Sequence, residues 1–358
     1  MSLPQFRGSG IIPGRPWRRS ERELLPWPGP GGGAPPRGHP AAYEAAQEVV
    51  EAVNTALILE RPLLVTGRPG SGKTELAERI AYEFDLGPVL RFESQSLSEA
   101  DDLFYRFDHV HQMVMAKLVE LGRAAPEAAE SARFVTFGAL GLAIVRAEPQ
   151  RYADLPTAGL DASTSARRSV VLIDEIDKAS RDFPNDLLNG IERMAFTVRE
   201  LRNFEVAGPG RDSPLRPIVI VTSNVERELP GAFMRRCTFV HIAEPDAAQL
   251  AAIVRKRVFD DHAEPPPGAG DGLPPLYAQL LKAFQQLRDE KQNPLRYQIG
   301  TSELLDLLDV AKARGVRDDS AASITLLQRA VSAMAKHADD RPRVAAALAG
   351  LALRPAAA

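Results

Sequence analysis

The segment GRPGSGKT, residues 67–74, constrains the fold more than any other stretch, because it fits G-x-x-x-x-G-K-[ST]. Glycines in such a loop let backbone N–H groups approach a phosphate with no Cβ in the way. The helix that follows aims its positive dipole end at the same anion. The loop works only between a strand and a helix, and both are written around it. LLVT precedes it and ELAERIAYEF follows. Gly67, Arg68, Pro69, Gly70, Ser71, Gly72 and Glu75 would line a nucleotide phosphate chain. Lys73 would place its charge on the β- and γ-phosphates of ATP, and the Thr74 hydroxyl would ligate Mg²⁺.

Around the loop, short apolar runs alternate with helical stretches. LLVTG (63–67), VLRF (89–92), VVLI (170–173) and IVIV (218–221) are continuous apolar runs, as expected of strands covered on both faces. TFVHI (238–242) is a fifth, more polar candidate. The alternation predicts an α/β fold, a three-layer αβα sandwich on a parallel sheet, spanning residues 41–245. AAYEAAQEVVEAVNTALILE (41–60) reads as a helix, with Val49, Val53, Ala56 and Leu57 on one face. After EPPPGAGDGLPP (264–275) only helical patterns occur, near 276–291, 301–314 and 320–338, so 246–358 reads as a small all-helical domain. RAEPQRYADLPTAGLDASTSARRS, before the third core strand, reads as a surface loop. Eleven of the fifteen residues from Pro26 to Pro40 are Pro or Gly, and residues 1–40 are expected to be a disordered tail. Trp17 and Trp27 there are either solvated or resting loosely on the body, or they form a docking arm for a neighbouring subunit or partner.

Three further segments carry chemistry. VVLIDEIDKA ends a buried strand in Asp174-Glu175, where parallel sheets bind ligands. Asp174 would hold Mg²⁺, and Glu175 would polarise an attacking water as general base. The paired acids favour hydrolysis over phosphoryl transfer to a metabolite. IVIVTSN ends on Asn224, a polar group for the water or the γ-phosphate. LPGAFMRRC (229–237) places Arg235 and Arg236 on a short helix before the last strand. With 44 Lys plus Arg, 47 Asp plus Glu and a net charge of −3, bulk polyanion binding is disfavoured, which counts against a nucleic-acid motor. The single cysteine, Cys237, excludes an internal disulfide and a cysteine-cluster zinc site. No uncharged apolar run approaches the length of a membrane span, and MSLPQFRGSG lacks the apolar core of a signal peptide. Cytoplasmic residence is therefore the default expectation.

These motifs, in this order, resemble the AAA+ ATPases, and the finer detail resembles their MoxR branch. The resemblance rests on LLVTGRPGSGKTELAERIA, VVLIDEIDKA, LLNGIERMAFTV, IVIVTSN and LPGAFMRRC, and on SLSEADDLFYRFD (96–108), placed where that branch carries a helical insert. TSELLDLL (301–308) resembles the opening of the lid helix in a MoxR-like bacterial subgroup. The resemblance implies an ATP-hydrolysing homo-oligomeric ring, usually a hexamer, that remodels a protein client. It implies that Arg236 is a finger acting on the adjacent subunit's γ-phosphate with Arg235 in support, and that Asn224 is the sensor. It also implies that FTVRELRNFEV (196–206) is a hairpin facing the pore or substrate. Relatives often carry a nucleotide-contacting arginine at the start of the lid helix. Glu303 stands about there, with Arg296 nearby as a substitute. A nucleotide-operated switch or scaffold with slow turnover, in a multi-gene bacterial system, would share every one of these residues.

Overall fold

The computed structural model describes residues 5–10, 12, 15–18, 24–25, 39–153, 155, 165–224, 226–258, 272–291, 294–316 and 320–351. The chain divides into two compact units: the first holds most of the chain up to Ile242, and the second holds Ala243 onward and also takes in Arg68–Ser71.

In the first unit, helix α1 (Gln47–Leu59) leads to strand β1 (Leu63–Gly67), helix α2 (Lys73–Glu83) and strand β2 (Leu90–Glu93). An insert follows, with β3 (Tyr105–Phe107) and β4 (Val135–Phe137) antiparallel and α3 (His109–Glu120) between them. Next come α4 (Ala139–Ala147), β5 (Val170–Asp174), α5 (Phe183–Arg193), a hairpin of β6 (Ala195–Val198) and β7 (Phe204–Ala207), β8 (Ile218–Ser223), α6 (Gly231–Met234) and β9 (Thr238–Ile242). Strands β9-β1-β8-β5-β2 form one sheet in that order, and every pairing is parallel. All five strands fall on the five apolar runs.

The two-residue side-chain period of the strands separates two cores. Leu64, Val171, Ile173, Val219 and Val221 face one way, into a cluster with Leu140 and Ile144 of α4 and Phe183, Leu187 and Ile191 of α5. Leu63, Val65, Val170, Leu172, Ile220 and Val240 face the other way, against Val49 and Val53 of α1 and Leu76, Ala77 and Ile80 of α2. Cover on both faces explains why the three central strands, β1, β8 and β5, are apolar runs, while the edge strands β2 and β9 alternate with polar or exposed residues.

Three expectations are corrected here. The described part of residues 1–40 is packed rather than disordered. Phe6 and Trp17 are buried in the α1/α2 core, and Trp17 stands edge-on to Tyr82 with ring centroids 6.2 Å apart. Asn54 donates its amide to the Phe6 carbonyl (3.0 Å) and accepts the Phe6 N–H (2.8 Å). Buried Arg79 donates to the carbonyls of Ser9 (2.6 Å) and Gly10 (2.8 Å) and pairs with Glu83 at 3.0 Å. The cause is on α2, whose buried guanidinium needs acceptors that the tail's backbone supplies. Trp27 and nearly all of the Pro/Gly-rich stretch lie outside the described residues. The first helix begins at Gln47 rather than Ala41, because residues 43–46 run extended and Ala45 donates its N–H to Gly8 (3.0 Å). Finally, the stretch before β5 does not begin as a free loop. Tyr152 is buried, and its hydroxyl is bonded to both the N–H (2.9 Å) and the carbonyl (2.6 Å) of Ala207 on the hairpin. Residues 154 and 156–164 of that stretch lie outside the described ones.

The second unit is helical: α7 (Ala247–Val258), α8 (Pro275–Asp289), α9 (Thr301–Ala313), α10 (Ala321–Gln328), α11 (Val331–Met334) and α12 (Arg341–Ala349). Its core gathers Leu276, Leu280 and Phe284 with Leu304, Leu307 and Leu308. The expected 320–338 helix is broken into α10 and α11, a kink that lets Leu327, Ala330, Val331 and Met334 all reach this core.

Candidate functional site

The site is built where β1, β5 and β8 end side by side, at their C-terminal edge. Gly67, Gly70 and Gly72 hold φ of 158°, 75° and 90°, and in the last two an L side chain is strained. The loop is therefore folded as a cradle that glycine alone takes up without strain at 70 and 72. The Ser71 hydroxyl is buried without a hydrogen-bond partner, as a phosphate-facing group would be. Lys73, at the start of α2, is buried and donates from Nζ to the Gly67 carbonyl at 2.8 Å. Burial lowers its pKa, against the pull of Asp174, Asp177, Glu175 and Glu75. The ammonium is thus a desolvated charge beside the cradle, where it acts strongly on a phosphate.

Thr74 donates its hydroxyl to Asp174 Oδ2 at 3.3 Å, so the two residues predicted to hold Mg²⁺ meet. Among the described residues no cluster of three or more His, Cys, Asp or Glu could hold a metal alone. One hydroxyl and one carboxylate fit Mg²⁺, which is usually bound by one or two protein oxygens with phosphate and water completing the octahedron.

Glu175 takes φ = 53°, an unusual value for a side-chain-bearing residue. Its N–H donates to Thr222 Oγ1 at 2.9 Å, and the same hydroxyl donates to Asp174 Oδ1. Asn224 donates from Nδ2 to Glu175 Oε1 at 2.9 Å, while Lys178 contacts Oε2. The structure thus brings together Lys73, Thr74, Asp174, Glu175 and Asn224.

Three residues of this region escape sequence reasoning. Thr222 is the shared partner of Asp174 and Glu175. Its signal was visible, since the residue two before Asn224 on β8 faces the neighbouring β5 end. Asp177 is buried and accepts the N–H groups of Asn224 (3.3 Å) and Glu226 (3.0 Å), which fixes the turn after β8. Tyr43 lies against the loop, and a Cβ on Gly72 would stand 3.1 Å from its ring. Burial first, then Glu75, raises the Tyr43 pKa, so its hydroxyl stays neutral.

The arginine pair sits just beyond α6 rather than on it. Phe233 is fully buried and anchors the helix. Arg236 is half-exposed and pairs through Nε with Glu192 Oε1 at 2.6 Å. Arg235 is exposed and, among the described residues, makes no side-chain hydrogen bond or ion pair. In the helical unit, Arg296 pairs through Nε with Asp339 at 2.9 Å. Glu303 reaches back to accept the Gly300 N–H at 2.8 Å and caps α9. The departure from arginine there has a local use as a helix cap.

Residues 62–237 match the family model described as AAA domain (dynein-related subfamily). A search of curated proteins gives no match. The matched stretch opens one residue before β1 and closes on Cys237, so it holds the cradle, both acids, Asn224 and the arginine pair. With the five-stranded parallel sheet, it supports an AAA+ ATPase domain: an α/β P-loop core of that type, followed by a helical region. Among the described residues no helix is long and apolar enough to cross a membrane.

Proposed function

We infer that this chain binds and hydrolyses ATP at the interfaces of a homo-oligomeric ring, in the manner of MoxR-type AAA+ proteins, and uses the cycle to remodel or activate a protein partner. The observation that carries the reading is the convergence of Lys73, Thr74, Asp174, Glu175 and Asn224 on one strand edge. The loop from Gly67 to Thr74, with Glu75 behind it, binds and orients the phosphates through backbone N–H groups, and Lys73 neutralises the β- and γ-oxygens. Thr74 and Asp174 would hold Mg²⁺, which supplies further charge neutralisation on the phosphate oxygens. Glu175 accepts the proton of the attacking water, and Asn224 holds that carboxylate and the water in line. Arg236 acts in trans on the neighbour's phosphates, with Arg235 beside it, and Arg296 remains a candidate contact from the lid.

One observation favours a slower, switch-like variant of this activity. Both Glu175 oxygens are engaged, Oε1 by Asn224 and Oε2 by Lys178. Each oxygen keeps a second lone pair for the attacking water, but two neighbours crowd its approach, and turnover would be slow where the water has to share the carboxylate with them.

The test is complementation. Arg236→Ala should bind ATP and fail to hydrolyse it, as should Glu175→Gln. Mixing the two should restore activity, because some interfaces then pair an intact Glu175 with a neighbour's intact Arg236. Specific activity should also rise with protein concentration. Concentration-independent activity with no rescue would exclude a shared site.

A further inference from the structure

Glu192 stands in the last turn of α5, where a carboxylate is opposed by the helix's own negative end. Its partner there is Arg236, engaged through Nε at 2.6 Å, with both side chains close to half-exposed. Such an exposed pair adds little to stability. What it does is set direction. The Arg236 backbone is already fixed, since its N–H donates to the Phe233 carbonyl at 3.0 Å and its neighbours Phe233 and Cys237 are buried. A long side chain on a fixed backbone still samples many rotamers, and an arginine gives up much of that freedom when it is held. With Nε taken by Glu192 and Nη1 weakly on the Ala232 carbonyl (3.4 Å), Nη2 and the outer N–H of Nη1 are left to fork onto a planar or tetrahedral anion. Arg235, one residue earlier, has no such restraint.

The far side of α5 shows why Glu192 can act as a fixed post. Its own carbonyl accepts from Arg216 Nη2 at 2.8 Å. Arg216 is buried and lies 3.6 Å from Glu60, so the end of α5 is tied to the end of α1 across the base of the sheet.

We propose that Glu192 is a positioning residue for the trans-acting arginine: it pre-orients the Arg236 guanidinium toward the neighbouring subunit's phosphates. This rests on the assignment of Arg236 as the finger. Glu192→Ala should lower kcat about ten- to a hundredfold, the penalty for a misaligned catalytic group, with KM for ATP within about twofold of wild type. Glu192→Gln keeps an oxygen acceptor for Nε–H and should recover most of the rate. On an Arg236→Ala background, Glu192→Ala should change the residual rate no further, because the group it orients is gone. In mixtures the defect should segregate with the finger. Glu192→Ala subunits should be rescued by Glu175→Gln subunits, which carry an intact Glu192 and Arg236, and not by Arg236→Ala subunits. A wild-type rate for Glu192→Ala, an equal loss on the Arg236→Ala background, or rescue by Arg236→Ala subunits would overturn the proposal. If Arg236→Ala itself hydrolyses ATP normally, the finger assignment has failed instead, and the two failures are told apart by that single variant.

Discussion

Lys73→Met tests the cradle most directly, since methionine keeps the apolar stem and removes the charge. In the wild type, MgATP at a hundredfold excess over Kd should stabilise the fold by about 2.7 kcal/mol. For a unit of about two hundred residues, that corresponds to a rise in Tm of about 5–10 °C. Lys73 is the cation that the structure places at the cradle, bonded to the Gly67 carbonyl, so the variant should lose binding by two or more orders of magnitude. At the same MgATP concentration its gain would then be about 0.4 kcal/mol or less, a shift of about 1 °C.

The apo protein carries a second signature. Burial lowers the Lys73 pKa in spite of four surrounding carboxylates. The folded chain therefore holds that proton less tightly than the unfolded chain does. Such a group costs stability in full at neutral pH, and the cost fades as pH rises through the lowered folded value toward 10.5. Removing the ammonium should leave the apo Tm unchanged or raised. Differential scanning fluorimetry with and without MgATP reads both effects. An equal ligand-induced shift in the two proteins would refute the loop assignment. An apo variant melting many degrees lower would refute the claim that Lys73 is held at a cost for its ligand.

Thr222→Val is nearly isosteric and removes the hydroxyl shared by Asp174 and the Glu175 N–H. ATPase kcat should fall about ten- to a hundredfold with ATP affinity much less affected, and a wild-type kcat would mean that the left-handed Glu175 backbone is fixed by other contacts. Burial pushes the Cys237 thiol up to about 12, so a thiol-disulfide reagent at pH 8 should react only on unfolding, and rapid reaction of the native protein would contradict the packing beneath the arginine pair. Burial and then Arg79 hold His39 down to about 4, against an ordinary 6.5. The unfolded chain therefore takes up this proton first, and stability should fall as pH drops from about 6.5 toward 4, by at most about 1.4 kcal/mol per pH unit. His39→Asn, which can still accept the Ala41 N–H, should show a shallower loss in denaturant titrations between pH 7 and 5, and identical slopes would place the histidine in water.

The parts of the fold that were legible are those where one physical requirement dominates a run of residues. A strand buried on both faces has to be apolar throughout, and β1, β5 and β8 show it, whereas the edge strands β2 and β9 carry exposed Arg91, Glu93 and His241. The cradle was legible because glycine at positive φ has no cheap substitute, and 70 and 72 are both glycine. The packed tail was not legible, because its restraints come from outside it. Phe6 is held by Asn54, some 48 positions on, and Ser9 and Gly10 by Arg79, so composition around residues 26–40 says nothing about them. The short helix-to-coil region at 43–46 failed for a similar reason, since alanine and glutamate favour a helix locally while Gly8 claims the Ala45 N–H.

The same division separates first contacts from their supports within the site. Lys73, Thr74, Asp174, Glu175 and Asn224 are recognisable because their chemistry fixes their types and their strand ends fix their places. Thr222 and Asp177 act on those residues, and Glu192 on Arg236, from neighbouring elements where many side chains would serve as well in a single sequence. Thr222 illustrates the consequence. It donates to one acid and accepts from the backbone of the next, so it couples the orientation of the metal-binding carboxylate to the strained residue that carries the base. A strained φ at Glu175 persists only if its surroundings over-determine it. One bond to Thr222 fixes its backbone, while Asn224 and Lys178 fix its side chain. The base is therefore held from three directions, and each carboxylate oxygen still has a lone pair with which to accept the proton of an attacking water.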